Sequence, residues 1–217
     1  MSHIPSAPIG KQSILTLEQC LSANHTATYD TVHWVYYPQI YCDYRYLLGT
    51  RGANPLICIG INPSTAQPGA LDNTLKSVER LALFNGFDSF LMCNVSAQRA
   101  TSPDDMDCVE DPRLHAENIK TFAYILSQHP QATVWAAWGT VIEKRTYLFS
   151  YLCEMVKTAS KFGAKWVTAG KLSAAGHPHH PLYLKKDTVF APFDPIAYCD
   201  AIEQKNHLHV CRCGKQI

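Results

Sequence analysis

Charge is scarce in this chain. Asp, Glu, Lys and Arg make up 17% of its 217 residues and the formal net charge is +1. No basic domain is therefore present to attract a polyanion, and any nucleic acid must be met by a local patch. No apolar run approaches the roughly 18 to 20 residues of a membrane span. The start, Met1 to Lys11, lacks the charged-then-apolar order of a signal peptide. A cytoplasmic protein with no membrane partner is expected. No glycine-rich loop carries the lysine of a phosphate-binding loop, no serine or cysteine sits in a nucleophile elbow, and no paired carboxylates follow the apolar runs. Those absences speak against phosphate-loop and covalent acyl chemistry. Nine cysteines are present, but they are odd in number and scattered, and Cys58, Cys93 and Cys153 lie inside apolar runs. Buried free thiols fit this better than a disulfide framework.

What is present is a globular composition, 47% hydrophobic, in a length that suits one domain. Residues 1–28 are weakly patterned and read as a loosely packed N-terminal extension with a short helix near Leu15 to Leu21. The aromatic stretch from Val32 to Leu48 has strand composition, and Gly49 to Gly52 reads as the following turn. Pro55 to Ile61 is a short continuous apolar run, the pattern of a central parallel strand covered on both faces. Asp72-Asn73-Thr74 then precedes Leu75, Val78, Leu81 and Ala82, apolar at helical spacing, with Gly86 as a terminator. Further strands are expected at Phe87 to Val95, Thr133 to Trp138 and Trp166 to Ala169. Helices are expected at Pro112 to Ser127, Val141 to Lys161 and Asp194 to Ala201. The alternation predicts an α/β domain over residues 29–205: three layers, α/β/α, around a mainly parallel sheet of four to five strands. Residues 206–217 read as a tail or edge strand, with His207, His209, Cys211 and Cys213 alternating on one face. They lack the paired-cysteine spacing of a zinc site, so no metal is assigned.

Ligands of open α/β sheets bind beyond the carboxyl ends of the strands. Those ends supply Asn62-Pro63-Ser64-Thr65, then Asn94 with Arg99, then Trp138-Gly139-Thr140, and finally Gly176-His177-Pro178-His179-His180-Pro181-Leu182. Amides, histidines and hydroxyls of this kind can hold a water and stabilise negative charge on a leaving group.

Gly60-Ile61-Asn62-Pro63, the strand ending at Asn94, Ala136-Ala137-Trp138-Gly139 and the histidine-proline segment from His177 to Leu182 occur in the order found in the uracil-DNA glycosylase superfamily, and resemble its mismatch-specific branch. Tyr44-Arg45-Tyr46, Asn62 to Ala66, Arg99-Ala100-Thr101 and the segment Gly176 to Leu182 resemble more closely an uncharacterised, largely bacterial family, domain of unknown function 1643. The superfamily resemblance implies a glycosylase-like fold and a monomeric, monofunctional DNA glycosylase that needs no cofactor. It would hydrolyse the N-glycosidic bond of a modified or damaged pyrimidine in repair or in defence against phage DNA.

On that resemblance Asn62 positions the attacking water and His177 stabilises the departing base, with His179 and His180 as alternates. Gly60, Ile61, Pro63, Ser64 and Thr65 shape the pocket, and Asn94 reads the base edge. Ser64 stands where the uracil enzymes carry a tyrosine, leaving room for a bulky 5-substituted or hypermodified cytosine. Leu182 or Tyr183 is the candidate wedge for a flipped-out base, and Arg99, Lys171 and Lys185 are candidate phosphate contacts. Several have a plainer alternative: Asn62 as a turn former, Ser64 as a cap, Asn94 as a strand-end amide, Leu182 as core, the lysines as solvated surface. Two other functions fit the same residues: a nucleic-acid-binding protein without catalysis, and a hydrolase of free nucleosides or nucleotides.

Overall fold

A computed structural model describes residues 2–22 and 27–213, with side chains of residues 2–22 and 27–204. Four parallel strands form the middle of the sheet: β3 (Pro55–Gly60), β4 (Ser89–Asn94), β5 (Thr133–Ala136) and β6 (Lys165–Ala169). Three antiparallel strands extend it, β1 (Trp34–Tyr37) and β2 (Leu47–Thr50) at one edge and β7 (Phe190–Pro192) at the other. The order is β1-β2-β4-β3-β5-β6-β7. The sheet is thus seven-stranded and mixed, where the pattern predicted four to five mainly parallel strands. Two local features account for the difference. Gly49 and Thr50, which read as a turn, belong to β2; a Cβ on Gly49 would stand 2.1 Å from the Phe90 carbonyl oxygen, so glycine is what lets β2 lie against β4. β7 is three residues with little burial, too short to leave a periodic signal.

Every residue of β3 is buried, and its alternating side chains feed two cores. Leu56 and Cys58 pack with Phe90, Met92 and Trp135 beneath α2 (Asn73–Phe84), which contributes Leu75, Val78, Leu81 and Ala82. Ile57 and Ile59 pack on the opposite face with Phe122 of α3 (Pro112–Gln128), Leu152 of α4 (Thr146–Ser160) and Tyr198 of α5 (Pro195–Cys213). Helices therefore cover both faces. Asp72 caps α2 as its spacing predicts, accepting the Leu75 N–H at 2.9 Å. The described cysteines are free, and burial pushes the Cys93 thiol up to about 12.

The described part of the N-terminal segment is not loose. Helix α1 (Leu17–Ser22) and the turn Ile9–Lys11 bury Ile9, Leu17 and Cys20, and Ile9 and Cys20 join a third core with Tyr44, Tyr46 and Leu114. Glu117 accepts the Leu17 N–H at 2.8 Å and Asp107 the Ile9 N–H at 2.9 Å. The partners come from residues about a hundred positions away, so local pattern could not reveal them. At the other end, where a tail or edge strand is expected, α5 continues as far as Cys213. The side chains of His207, His209, Cys211 and Cys213 lie outside the described residues. Among the described residues, no helix is long and apolar enough to cross a membrane.

Candidate active site

From β3 the chain passes through α2 on one face to β4, and from β4 through α3 on the other face to β5, so the loops after β3 and β4 part in opposite directions. A cleft of about 580 Å³ opens there, at the carboxyl ends of the parallel strands. It gathers Ile61, Asn62, Pro63, Ser64 and Thr65 from the end of β3, and Asn94 from β4. Gly139 and Thr140 follow β5, and Pro178, His179 and His180 follow β6. Leu182 and Tyr183 complete the wall, both exposed.

Asn62 Nδ2 donates to the carbonyls of Pro63 at 3.0 Å and Ala100 at 2.8 Å. Two carbonyl acceptors settle which end of the amide is nitrogen and leave Oδ1 as an acceptor for the cleft. Ser64 Oγ lies 3.2 Å from Thr101 Oγ1. Asn94 is wholly buried, and neither Oδ1 nor Nδ2 has a partner among the described residues. Its strand end is held by Asn118, whose amide donates to the Asn94 carbonyl at 2.8 Å. Gly60, its neighbour in register, keeps space open: a Cβ there would meet Met92 Cε at 2.5 Å and Asn94 Oδ1 at 3.1 Å.

The histidine assignment changes. His177 is 0% exposed and faces away from the cleft lining, its ring held between Tyr198 Oη at 2.7 Å and Glu143 Oε1 at 2.9 Å. Trp138 Nε1 donates to the same phenol at 3.1 Å. The phenol's own hydrogen is then left for His177 Nδ1, and His177 Nε2–H for Glu143. His177 is a bracket for its loop, and the cleft positions belong to His179 and His180. His180 Nδ1 accepts the Leu182 N–H at 3.3 Å, so Nε2 carries the hydrogen. Burial holds His180 below the usual histidine value against the opposing charge of Asp72. Gly139, at φ +64°, admits this loop; a Cβ would stand 3.3 Å from His180 Cβ.

Arg99, expected as a phosphate contact, is also fully buried. It donates to the carbonyls of Ser64 and Ala66 and to Tyr36 Oη at 2.8 Å, and lies over the Tyr41 ring at 4.4 Å. It braces the turn that carries Asn62 and Ser64. Lys171 and Lys185 are exposed and outside the cleft lining.

Arg45 lines the cleft and was assigned no role from the sequence, although a single charge inside the aromatic run Tyr44 to Leu48 marks it. It is 0% exposed, and among the described residues its only side-chain hydrogen bond runs from Nη1 to the Ala66 carbonyl at 3.2 Å. Nε and Nη2 are unpartnered among the described residues. Burial, reinforced by the Arg99 charge, lowers its guanidinium to about 9, so it remains charged at neutral pH.

A family model described as "Protein of unknown function (DUF1643)" matches residues 45–182. The match spans more than half of the chain, and the protein belongs to that family. Its first and last residues, Arg45 and Leu182, both line the cleft. No curated protein and no solved structure matches the chain.

Proposed function

We propose that the cleft belongs to a DNA glycosylase that draws a modified pyrimidine out of the duplex, hydrolyses its N-glycosidic bond and leaves an abasic site. The observation that carries this reading is Asn94: a carboxamide whose donor and acceptor have no partner among the described residues, buried at the floor of a cleft of about 580 Å³. That volume falls in the range of small-molecule sites. A side-chain amide matches the paired donor and acceptor of a pyrimidine edge, and an unfilled amide in a dry site discriminates strongly against rings that cannot pair with it.

Asn62 Oδ1 receives a hydrogen from the attacking water. A carboxamide cannot take the proton away, so bond breaking runs ahead of attack and the base departs with the electron pair. His180 Nε2–H, neutral and half-buried, replaces His177 as the histidine donor to that charge. Among the described residues no lysine lines the cleft, which suits simple hydrolysis rather than Schiff-base chemistry. Ser64, small and tied to Thr101, leaves room for a substituent at C5. Leu182 and Tyr183, exposed at the rim, are the wedge candidates, with Lys171 and Lys185 beyond them.

A hydrolase of free nucleosides or nucleotides is the second reading, favoured by the burial of Arg99, which removes one expected contact to a DNA backbone. Base release from duplex and single-stranded DNA carrying normal and 5-substituted pyrimidines, run beside the free nucleosides, separates the two. The glycosylase reading expects release from DNA and a loss of about 10² to 10³ in single-turnover rate for Asn62→Ala. Activity confined to free nucleosides would replace it with the second reading, and DNA binding without release would leave a non-catalytic binder.

A further inference from the structure

The floor of the cleft contains a charge that the folded chain leaves unused. Arg45 and Asn94 both line it, both are closed from solvent, and both keep hydrogen-bonding groups without partners. Arg45 has no ion pair among the described residues, and Asp72, the carboxylate whose charge reaches it, is already bound to the Leu75 amide. A structural role explains little of this. Bracing the Ala66 carbonyl takes one of five guanidinium hydrogens, and Arg99 already donates to the same oxygen at 3.1 Å. A buried cation with spare donors is unfavourable unless something else completes it.

We infer that Arg45 receives an electron-rich oxygen edge of the ligand and is the cation that stabilises the departing pyrimidine as an anion. This rests on the glycosylase reading for the identity of the ring and deepens it by naming a catalytic residue. A guanidinium offers donors alone, whereas Asn94, lining the same cleft, offers one donor pair and one acceptor. The complementary edge has a keto oxygen toward Arg45 and an adjoining ring nitrogen and substituent toward Asn94, as the pyrimidines of nucleic acids do. When the N-glycosidic bond breaks, its electron pair moves onto the base and spreads to the ring oxygens, where the guanidinium meets it. Water supplies hydroxyl to the sugar carbon, and its remaining proton ends on the base nitrogen. Arg99 adds positive potential from behind while holding the turn that carries Asn62. Because neither Arg45 nor Asn94 exposes surface, a ring must part a neighbour to reach them. Met92, lining the same floor in the space that Gly60 leaves, has the rotamer freedom to do so.

Calorimetry on the full chain tests the inference with two free bases, uracil, neutral at pH 7, and 5-nitrouracil, ionised there, and with inorganic phosphate as a third ligand. The wild type is expected to prefer the ionised base by about tenfold or more. Arg45→Gln should abolish that preference, Arg45→Lys should keep part of it, and Asn94→Ala should weaken both bases alike. An unchanged preference in Arg45→Gln overturns the inference, as does a wild type that binds none of the three. Arg45-dependent binding of phosphate without either base overturns the pyrimidine reading and keeps the anion site. Should Arg45→Gln fail to fold, the Arg45 Nε–H resonance of the wild type, assigned through Arg45→Lys, decides: it shifts with 5-nitrouracil if the inference holds and stays fixed if it does not.

Discussion

Two polar clusters lie at the same end of the sheet, one running from buried Trp138, Tyr198 and His177 out to exposed Glu143 and the other forming the cleft floor, and they are completed to different degrees. In the first, Trp138, Tyr198, His177 and Glu143 form an unbroken chain of hydrogen bonds of 2.7 to 3.1 Å. In the second, the cleft floor, the Asn94 side chain has no partner among the described residues and the Arg45 side chain has one. Burying polar atoms without partners is costly, so the complete cluster reads as scaffold and the incomplete one as a place prepared for a ligand. By this criterion His177, the more conspicuous histidine in the sequence, belongs to the scaffold, and Arg45 belongs to the site.

If the contrast is sound, substitutions in the two clusters should move activity and stability independently. The largest expected effect is on the floor: Asn94→Ala should lower single-turnover base release by about 10² to 10³. Urea unfolding of the same variant should change by no more than about 0.5 kcal/mol, or show a gain, because the amide it removes had no partner. A large stability loss with catalysis intact would reverse the assignment of the two clusters. Next in size, Tyr198→Phe orphans Trp138 Nε1 and His177 Nδ1 together and should cost about 1 to 3 kcal/mol in urea unfolding. The folded fraction should keep near-wild-type release rates; a collapse in rate at unchanged stability would return His177 to the chemistry.

The smallest effect sharpens the comparison through pH. Burial lowers His180 below its ordinary value of 6.5, so the unfolded chain takes up its proton at a higher pH than the folded one. Stability is therefore complete above about 6.5 and falls as pH drops from there through the folded value. His3, His115 and His129 are lowered in the same direction, so the slope should survive in His180→Gln but become shallower. Unfolding free energies at pH 7.5 and 5.5 for both proteins give the comparison, and an unaltered slope would show that His180 is solvated like a free histidine.

Much of the frame was legible in the sequence because it rests on local rules. The apolar run of β3 required a covered strand, and Asp72 with the periodic residues after it required a capped helix. Several strand ends accordingly carried cleft residues: Asn62, Ser64, Asn94 and Gly139 were all singled out by position alone. Where local rules were weak, the reading failed. Gly49 looked like a turn because its reason, the close Phe90 carbonyl, lies on another strand. The N-terminal segment looked loose because its partners are distant, and the tail or edge strand expected from residue 206 is helical as far as Cys213 because two-residue alternation over so few residues does not outweigh continuation of α5.

Which residue types arrive at the carboxyl end of the sheet follows from local sequence, since periodicity and capping act over a few neighbouring residues. Which of them are spoken for follows from the packed fold. Whether His177 is free depends on Tyr198 and Glu143, 21 and 34 positions away, and Arg45 and Arg99 differ through the acceptors that other strands and turns bring to them. Hydrogen-bond satisfaction is a property of assembled atoms, and it separates scaffold from site where residue identity does not.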